Sequence, residues 1–160
     1  MLILPKPLDL RPCCEADTAF LRRLYGTTRQ AELDLLDWPE DQKLGFVHMQ
    51  FAAQHQYYHD QYPNCHFWIL EQDGNSIGRL YLDEREDEFR IVDIALLPDF
   101  CGQGFGSKIL GQIQGLAQSK GKKVTIHVEH NNPAQRLYQR LGFKKAGEVG
   151  IYHFMAWQPQ

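Results

Sequence analysis

The sequence has little that would staple a fold or hold a nucleic acid. Only four of its 160 residues are cysteine (Cys13, Cys14, Cys65 and Cys101), and no Cys-x-x-Cys occurs. Cys13 and Cys14 are chain neighbours, a poor arrangement for a mutual disulfide. Reduced thiols and a cytoplasmic location are the expectation. There is no excess of positive charge: 17 Lys and Arg face 20 Asp and Glu, for a net charge of −3. That excludes the basic footprint of a nucleic-acid binder. Long apolar runs are missing as well. Met1 to Leu10 is interrupted by Pro5 and Pro7, too short and too proline-rich for a leader or a membrane span. No repeat, low-complexity tract or linker divides the chain, so one domain over residues 1–160 is expected. A chain of this length buries roughly 68–70% of its unfolded surface and needs neither disulfides nor a metal to stand.

What is present is a sequence of period changes. Leu8–Arg11 reads as a first strand. Phe20, Leu21 and Leu24 mark a helix face behind acidic Glu15 and Asp17, with Gly26 as its stop. Ala31–Leu36 reads as one or two further helical turns, and Asp41 to about Tyr58 as a longer helix with Phe46, Met49, Ala53 and Tyr57 on its apolar face. His66–Glu71 and Ile77–Leu82 flank Asp73-Gly74, a hairpin signal. Phe89–Leu97 is a long strand closed by Pro98, and Ser107–Lys120 is a helix ended by Gly121. Lys123–Val128 is rich in β-branched residues. Pro133–Leu141 is a helix with Asn132 at its N-cap, and Phe143–Trp157 reads as two strands around Gly147 and Gly150. The order β-α-α-β-β-β-α-β-α-β-β describes a mixed α+β domain around one sheet.

The segment from Ile91 to Leu110 carries the chemistry. A strand runs into Pro98, then a turn in which Gly102, Gly104 and Gly106 alternate, then a helix. Glycine lets backbone approach a ligand closely. The unpaired N–H groups and the dipole of a helix N-terminus attract a phosphate or pyrophosphate. The spacing is neither Gly-x-Gly-x-x-Gly nor a P-loop.

Ile94-Ala95-Leu96-Leu97-Pro98-Asp99-Phe100-Cys101-Gly102-Gln103-Gly104-Phe105-Gly106 resembles the acetyl-CoA motif of the GNAT N-acetyltransferase superfamily. Asn132-Pro133-Ala134-Gln135-Arg136-Leu137-Tyr138-Gln139-Arg140-Leu141-Gly142-Phe143 resembles that superfamily's second signature. The two occur in the right order, and the resemblance covers about Ile69 to Trp157. It implies a single mixed, mostly antiparallel sheet of about six to seven strands flanked by about four helices. It also implies acetyl-CoA as donor, and no metal. Ile94, Ala95 and Leu96 would pair with the pantetheine arm. Gly102, Gln103, Gly104, Phe105, Gly106 and Ser107 would hold the pyrophosphate. An asparagine before the last helix would contact the coenzyme, and Tyr138 would lie near the sulfur. Counting back from Tyr138 selects Asn131 for that asparagine; its place before Pro133 selects Asn132. The chain departs from the family at Cys101, where arginine or glutamine is usual.

Acetyl transfer to an amine needs a base, a stabilised oxyanion and a protonated leaving thiolate. Tyr138 is the candidate acid, and a backbone N–H near Leu96 the oxyanion donor that the resemblance implies. Asp93 and His127 are the candidate bases, with Glu129 on the same strand face as His127. Asp93 has two other readings, a solvent-facing carboxylate or a partner of Arg90. Among seven histidines, His55 and His59 at i, i+4 suggest a metal, but no third ligand accompanies them. Trp38, Phe46, Phe51, Tyr57, Tyr58 and Tyr62 are candidates for an acceptor pocket, or else for core. The acceptor class is a small-molecule or peptide amine, and a homodimer is compatible with the family. The competing reading is a non-catalytic acyl-CoA-binding regulatory module, which needs the turn but neither Tyr138 nor Asp93.

Overall fold

The computed structural model describes residues 1–130 and 132–160. Strand β1 (Leu8–Pro12) leads through a 3-10 turn into α1 (Thr18–Asp34) and α2 (Glu40–Gln61). Three strands follow: β2 (His66–Gln72), β3 (Asn75–Glu84) and β4 (Glu88–Leu96). Then come α3 (Phe105–Lys120), β5 (Lys123–Glu129), α4 (Gln135–Arg140), β6 (Lys144–Val149) and β7 (Tyr152–Trp157). This is the element order expected from the sequence. The strands form one seven-stranded sheet in the order β1-β2-β3-β4-β5-β7-β6. Five of the six pairings are antiparallel; β4 and β5 run parallel, because α3 carries the chain back across the sheet between them. At the β2–β3 hairpin, Asp73 (φ 50°) and Gly74 (φ 81°) both take positive φ, as a two-residue turn of matched twist requires.

Alternation along the strands sorts the two faces. Leu80, Leu82, Ile91, Val124, Ile126 and Val128 pack against Ile109, Leu110, Ile113 and Ala117 of α3. On the other face Leu21, Tyr25 and Leu33 of α1 meet Val47 and Phe51 of α2 and Ile69 of β2. No helix among the described residues is long and apolar enough to cross a membrane.

The first two helices differ from the sequence expectation. Gly26 does not stop α1, which runs on to Asp34 and absorbs the separate turns expected at Ala31–Leu36. A Cβ at Gly26 would meet only Val47 Cγ1 at 3.5 Å, an ordinary van der Waals contact, so neither the chain's path nor the packing of α1 on α2 requires glycine there. On α2 the buried positions are Val47 and Phe51. Met49 and Tyr57, expected on that face, are exposed. The sheet-facing side of α2 also carries Gln54 and Tyr58, and these polar groups dilute the apolar period that would mark it.

Candidate active site

The site begins where two strands part. β4 and β5 pair only over Glu88–Ile91 and Lys123–Ile126. Beyond Ile91 the β3–β4 register shifts: Leu82 faces Ile91 and Tyr81 faces Asp93, leaving Val92 as the extra residue of a bulge. A bulge bends its strand and raises the local twist, and here β4 turns away from β5 where it occurs. The gap opens into a cleft of about 520 Å³ lined by Ile94, Ala95 and Leu96 on one side and by His127, Val128 and Glu129 on the other. Asn132 and Tyr138 also line it. On its other edge β4 stays tight against β3. A Cβ at Gly78 would strike the Ala95 carbonyl oxygen, so only glycine allows this approach.

Past the cleft the chain makes a 3-10 turn at Pro98–Phe100 and enters α3 through Gly102 (φ 76°) and Gly104 (φ 83°). These two glycines supply positive φ. Gly106 serves packing instead. A Cβ there would stand 3.1 Å from Leu137 Cδ2, so its absence lets α3 and α4 meet closely. The first N–H to bond back along the helix is that of Lys108, to Gly104 O. The N–H groups of Phe105, Gly106 and Ser107 are thus left free for an anion. The Phe105 side chain is buried in the core, so its contribution to such a site is its backbone. Gln103, exposed, folds back along the loop and donates from Nε2 to Asp99 O at 2.5 Å, which braces the loop. Cys101 Sγ lies 3.7 Å from Leu96 O and 3.6 Å from Leu97 O, and burial raises its thiol pKa. The residue is exposed and lines the cleft, and its raised pKa keeps the thiol protonated at neutral pH.

Asn132 accepts from Ala134 N–H through Oδ1 at 2.9 Å, a cap to the turn before α4. Asn131, the other asparagine considered for coenzyme contact, lies outside the described residues. Tyr138 is 5% exposed and its ring meets Phe143 edge-on at 5.6 Å. Burial, and then the charge of Asp93, raise its phenol pKa, so the hydroxyl keeps its proton across the neutral range.

Asp93 does not pair with Arg90 and does not face open solvent. Arg79 Nη2 donates to its Oδ2 at 2.5 Å, and the Tyr58 hydroxyl donates to the same oxygen at 3.3 Å. The bulge is the cause, because it brings Asp93 onto the face of Arg79 and Tyr81. Arg90 instead bonds Thr125 Oγ1 at 2.8 Å and lies 3.6 Å from Glu88. Arg79 is 2% exposed. Burial opposes its charge, but Asp93, Tyr81 and Tyr58 together outweigh that and hold it protonated. Its second bond goes to Gln54 Oε1 at 2.9 Å, while its Nε is buried without a partner among the described residues. His127 lies on the α1–α2 side of β5, exposed beside Phe154 at 5.3 Å. Partial burial of its ring, and then the charge of Arg90, lower its pKa below the usual 6.5. Glu129 on the same face pairs with Arg29 Nη1 at 3.4 Å.

The wall of the cleft toward α1 and α2 is built mainly by residues that the sequence did not mark: Tyr25 and Arg29 of α1, Gln54 of α2, Arg79 and Tyr152. Of the aromatic candidates for that wall, only Tyr58 reaches it. Trp38 packs on Phe46 at 5.6 Å, Phe51 is core and Tyr57 is exposed. His55 and His59 lie 4.4 Å apart, but they stack on Phe51 and Phe67.

The Acetyltransferase (GNAT) domain family matches residues 63–145, the stretch that holds the bulge, the glycine turn and Tyr138. The chain belongs to the GNAT acetyltransferase family. Within the family, a ribosomal protein bS18-alanine N-acetyltransferase of Haemophilus influenzae is 35% identical over 77 residues, covering 48% of this chain and 53% of that protein. A Bacillus subtilis (strain 168) protein provisionally given the same name is 28% identical over 95 residues, covering 57% of this chain and 63% of that protein. The matched stretch thus spans less than two thirds of either relative. Among solved structures, the PaiA N-acetyltransferase of Thermoplasma acidophilum, crystallised with coenzyme A, has the same fold. Its TM-score is 0.70 at 14% identity, over 94% of this chain and 98% of that one.

Proposed function

We propose that residues 1–160 form a single-domain acetyl-CoA-dependent N-acetyltransferase that acetylates a primary amine by direct attack in a ternary complex. One observation carries the reading: the bulge at Val92 parts β4 from β5 and opens a cleft that holds Tyr138, next to a glycine turn with a free helix N-terminus. The residues fit the coenzyme. Past Ile91, β4 has no β5 partner, so backbone groups of Ile94, Ala95 and Leu96 are available to an extended amide arm. The N–H groups at the start of α3, with Gly102 and Gly104, suit its pyrophosphate. Asn132 adds a polar group on the opposite wall of the cleft. The bound thioester supplies the acetyl group.

The protein's own part is to orient, to exclude water and to manage two protons. Tyr138, protonated and buried, donates to the departing thiolate. Of the two bases, His127 is the better placed. It is neutral at physiological pH, it faces the cleft, and no ion pair engages it among the described residues. Asp93 is held by Arg79 and Tyr58 and sets the field around Tyr138. Cys101 takes no covalent part, because its thiol is protonated at neutral pH.

The names of the two relatives make a peptide α-amine the first acceptor class to test, ahead of small amines. The test is Tyr138→Phe. Loss of a general acid lowers kcat by about 10²- to 10⁴-fold, with acetyl-CoA affinity nearly unchanged. An unchanged kcat, or no turnover by the wild type with any α-amine or small primary amine, would overturn the proposal in favour of a coenzyme-binding module.

A further inference from the structure

We propose that His130, Glu148 and His153 form a surface site for a divalent transition-metal ion of the zinc class. The sheet register brings them together. Glu148 on β6 is directly opposite His153 on β7, and His153 is opposite Val128 on β5. His130, two residues beyond Val128, is held at the strand end by its N–H bond to Ile151 O at 3.0 Å. Opposed residues have Cβ atoms about 4.5–5.5 Å apart, and diagonal neighbours remain within reach of long side chains. The three side chains each offer one ligand atom, and these atoms all lie within 4.8 Å of one another. The imidazoles stack at 4.0 Å with 27° between their planes.

A second observation points to a ligand. His153 Nδ1 is buried and has no hydrogen-bond partner among the described residues. Its nearest acid, Glu148 Oε1, is 3.7 Å away, too far for a hydrogen bond. A ring nitrogen without a partner, beside a second imidazole and a carboxylate, is what a metal ion uses. Ligand atoms around a tetrahedral zinc sit roughly 3.3 Å apart, a closure that side-chain rotation provides. Imidazole nitrogen favours zinc over magnesium or calcium.

The present counter-charge of Glu148 is Lys145 Nζ at 2.5 Å, in a pair with both side chains about half exposed. Such pairs hold weakly, so a metal displaces the lysine. Other clusters do not compete. His55 and His59 have no third ligand in reach among the described residues. Burial pushes the Cys13 and Cys65 thiols up to about 12, which denies a metal their thiolates. A bound metal would tie the end of β5 to the β6–β7 hairpin beside Glu129 and Tyr152, two residues of the cleft wall. The site does not depend on the acetyltransferase reading.

The experiment is a calorimetric titration of the full chain with Zn²⁺ alone in a non-coordinating buffer, with thermal melts in parallel. The expected result is one Zn²⁺ per chain and a rise in Tm. His130→Ala and Glu148→Gln, both at exposed positions, are expected to weaken binding at least about tenfold while their metal-free melts match the wild type. The double variant His55→Ala/His59→Ala keeps the site. No saturable binding, binding unaltered in both single variants, or binding lost only in the double variant would overturn the proposal. Absorption bands of tetrahedral Co²⁺ that vanish in His130→Ala are expected as confirmation, and their persistence would count against it.

Discussion

Replacing Gly78 by alanine tests the packing on which the cleft depends. The added Cβ would strike the Ala95 carbonyl oxygen and lie 2.9 Å from Leu96 Cδ2 and 3.1 Å from Leu96 Cα. The Leu96 side chain can rotate away. The other two atoms are backbone, so β4 itself must move. Overpacking costs about 1–3 kcal/mol, and backbone contact puts this case at the upper end, about 3 kcal/mol. For a domain of this size each kcal/mol moves Tm by about 2–4 °C, so a fall of about 6–12 °C is expected. The displaced Ala95 carbonyl belongs to the edge assigned to the pantetheine arm, so coenzyme A affinity falls as well. Gly111→Ala is the internal standard. It is exposed on α3 and a Cβ there meets nothing within 4 Å, so helix propensity predicts a gain of up to about 1 kcal/mol. The assay is thermal denaturation of the three proteins with calorimetric binding of coenzyme A. If Gly78→Ala melts within about 2 °C of the wild type and binds coenzyme A equally well, the two strands do not approach as described and the reasoning fails.

The remaining predictions concern charge and protons. Hydrogen bonds from Arg11 hold the Asp17 pKa down at about 2, against an ordinary 3.8. Because the folded value is the lower one, this stability is present above pH 3.8 and lost as pH falls toward 2. Asp17→Asn should cost at most about 2 kcal/mol at pH 7, a cost that is mostly gone at about pH 2 in urea melts and vanishes below it; an equal cost at both would contradict the pairing. Lys120 and Lys122 lower Glu84 in the same way, from 4.5 to about 2, so Glu84→Gln should flatten the acid limb of the same stability curve. If His127 is the base, kcat rises with pH through a value below 6.5 and levels off near neutrality. His127→Gln removes that limb, and a limb surviving in the variant would return the role to Asp93. Alkylation of Cys101 should leave kcat at saturating acetyl-CoA intact, and abolished turnover would reopen a covalent route.

The C-terminal half of the molecule was legible because its elements are locally written. Asp73-Gly74 between two apolar runs specifies a hairpin wherever it occurs, and Pro98 with Gly102 and Gly104 specifies a strand-to-helix turn. Asn132 before Pro133 marks a cap. The wall of the cleft toward α1 and α2 was not legible, because its residues meet only through the sheet register. Arg79 and Asp93 are neighbours owing to the extra residue Val92, and a bulge leaves no signal in hydrophobic alternation. On α1 and α2, Tyr25, Arg29, Gln54 and Tyr58 point to the cleft and so break the apolar period that would have marked their face. The need for glycine at position 78 depends on Ala95 across the ladder, which no local pattern shows. The cluster of His130, Glu148 and His153 likewise comes from two strands and the turn after a third and has no spacing to find.

The measurement that tests the central claim most directly is a calorimetric titration of the purified chain with acetyl-CoA, with ATP as control. Saturable binding of acetyl-CoA and none of ATP is the predicted result, since ATP offers phosphates to the helix N-terminus but no amide arm to the free edge of β4. At about 100 times Kd, acetyl-CoA should also add roughly 2.7 kcal/mol of stability. No binding of acetyl-CoA, or equal binding of ATP, would contradict the account.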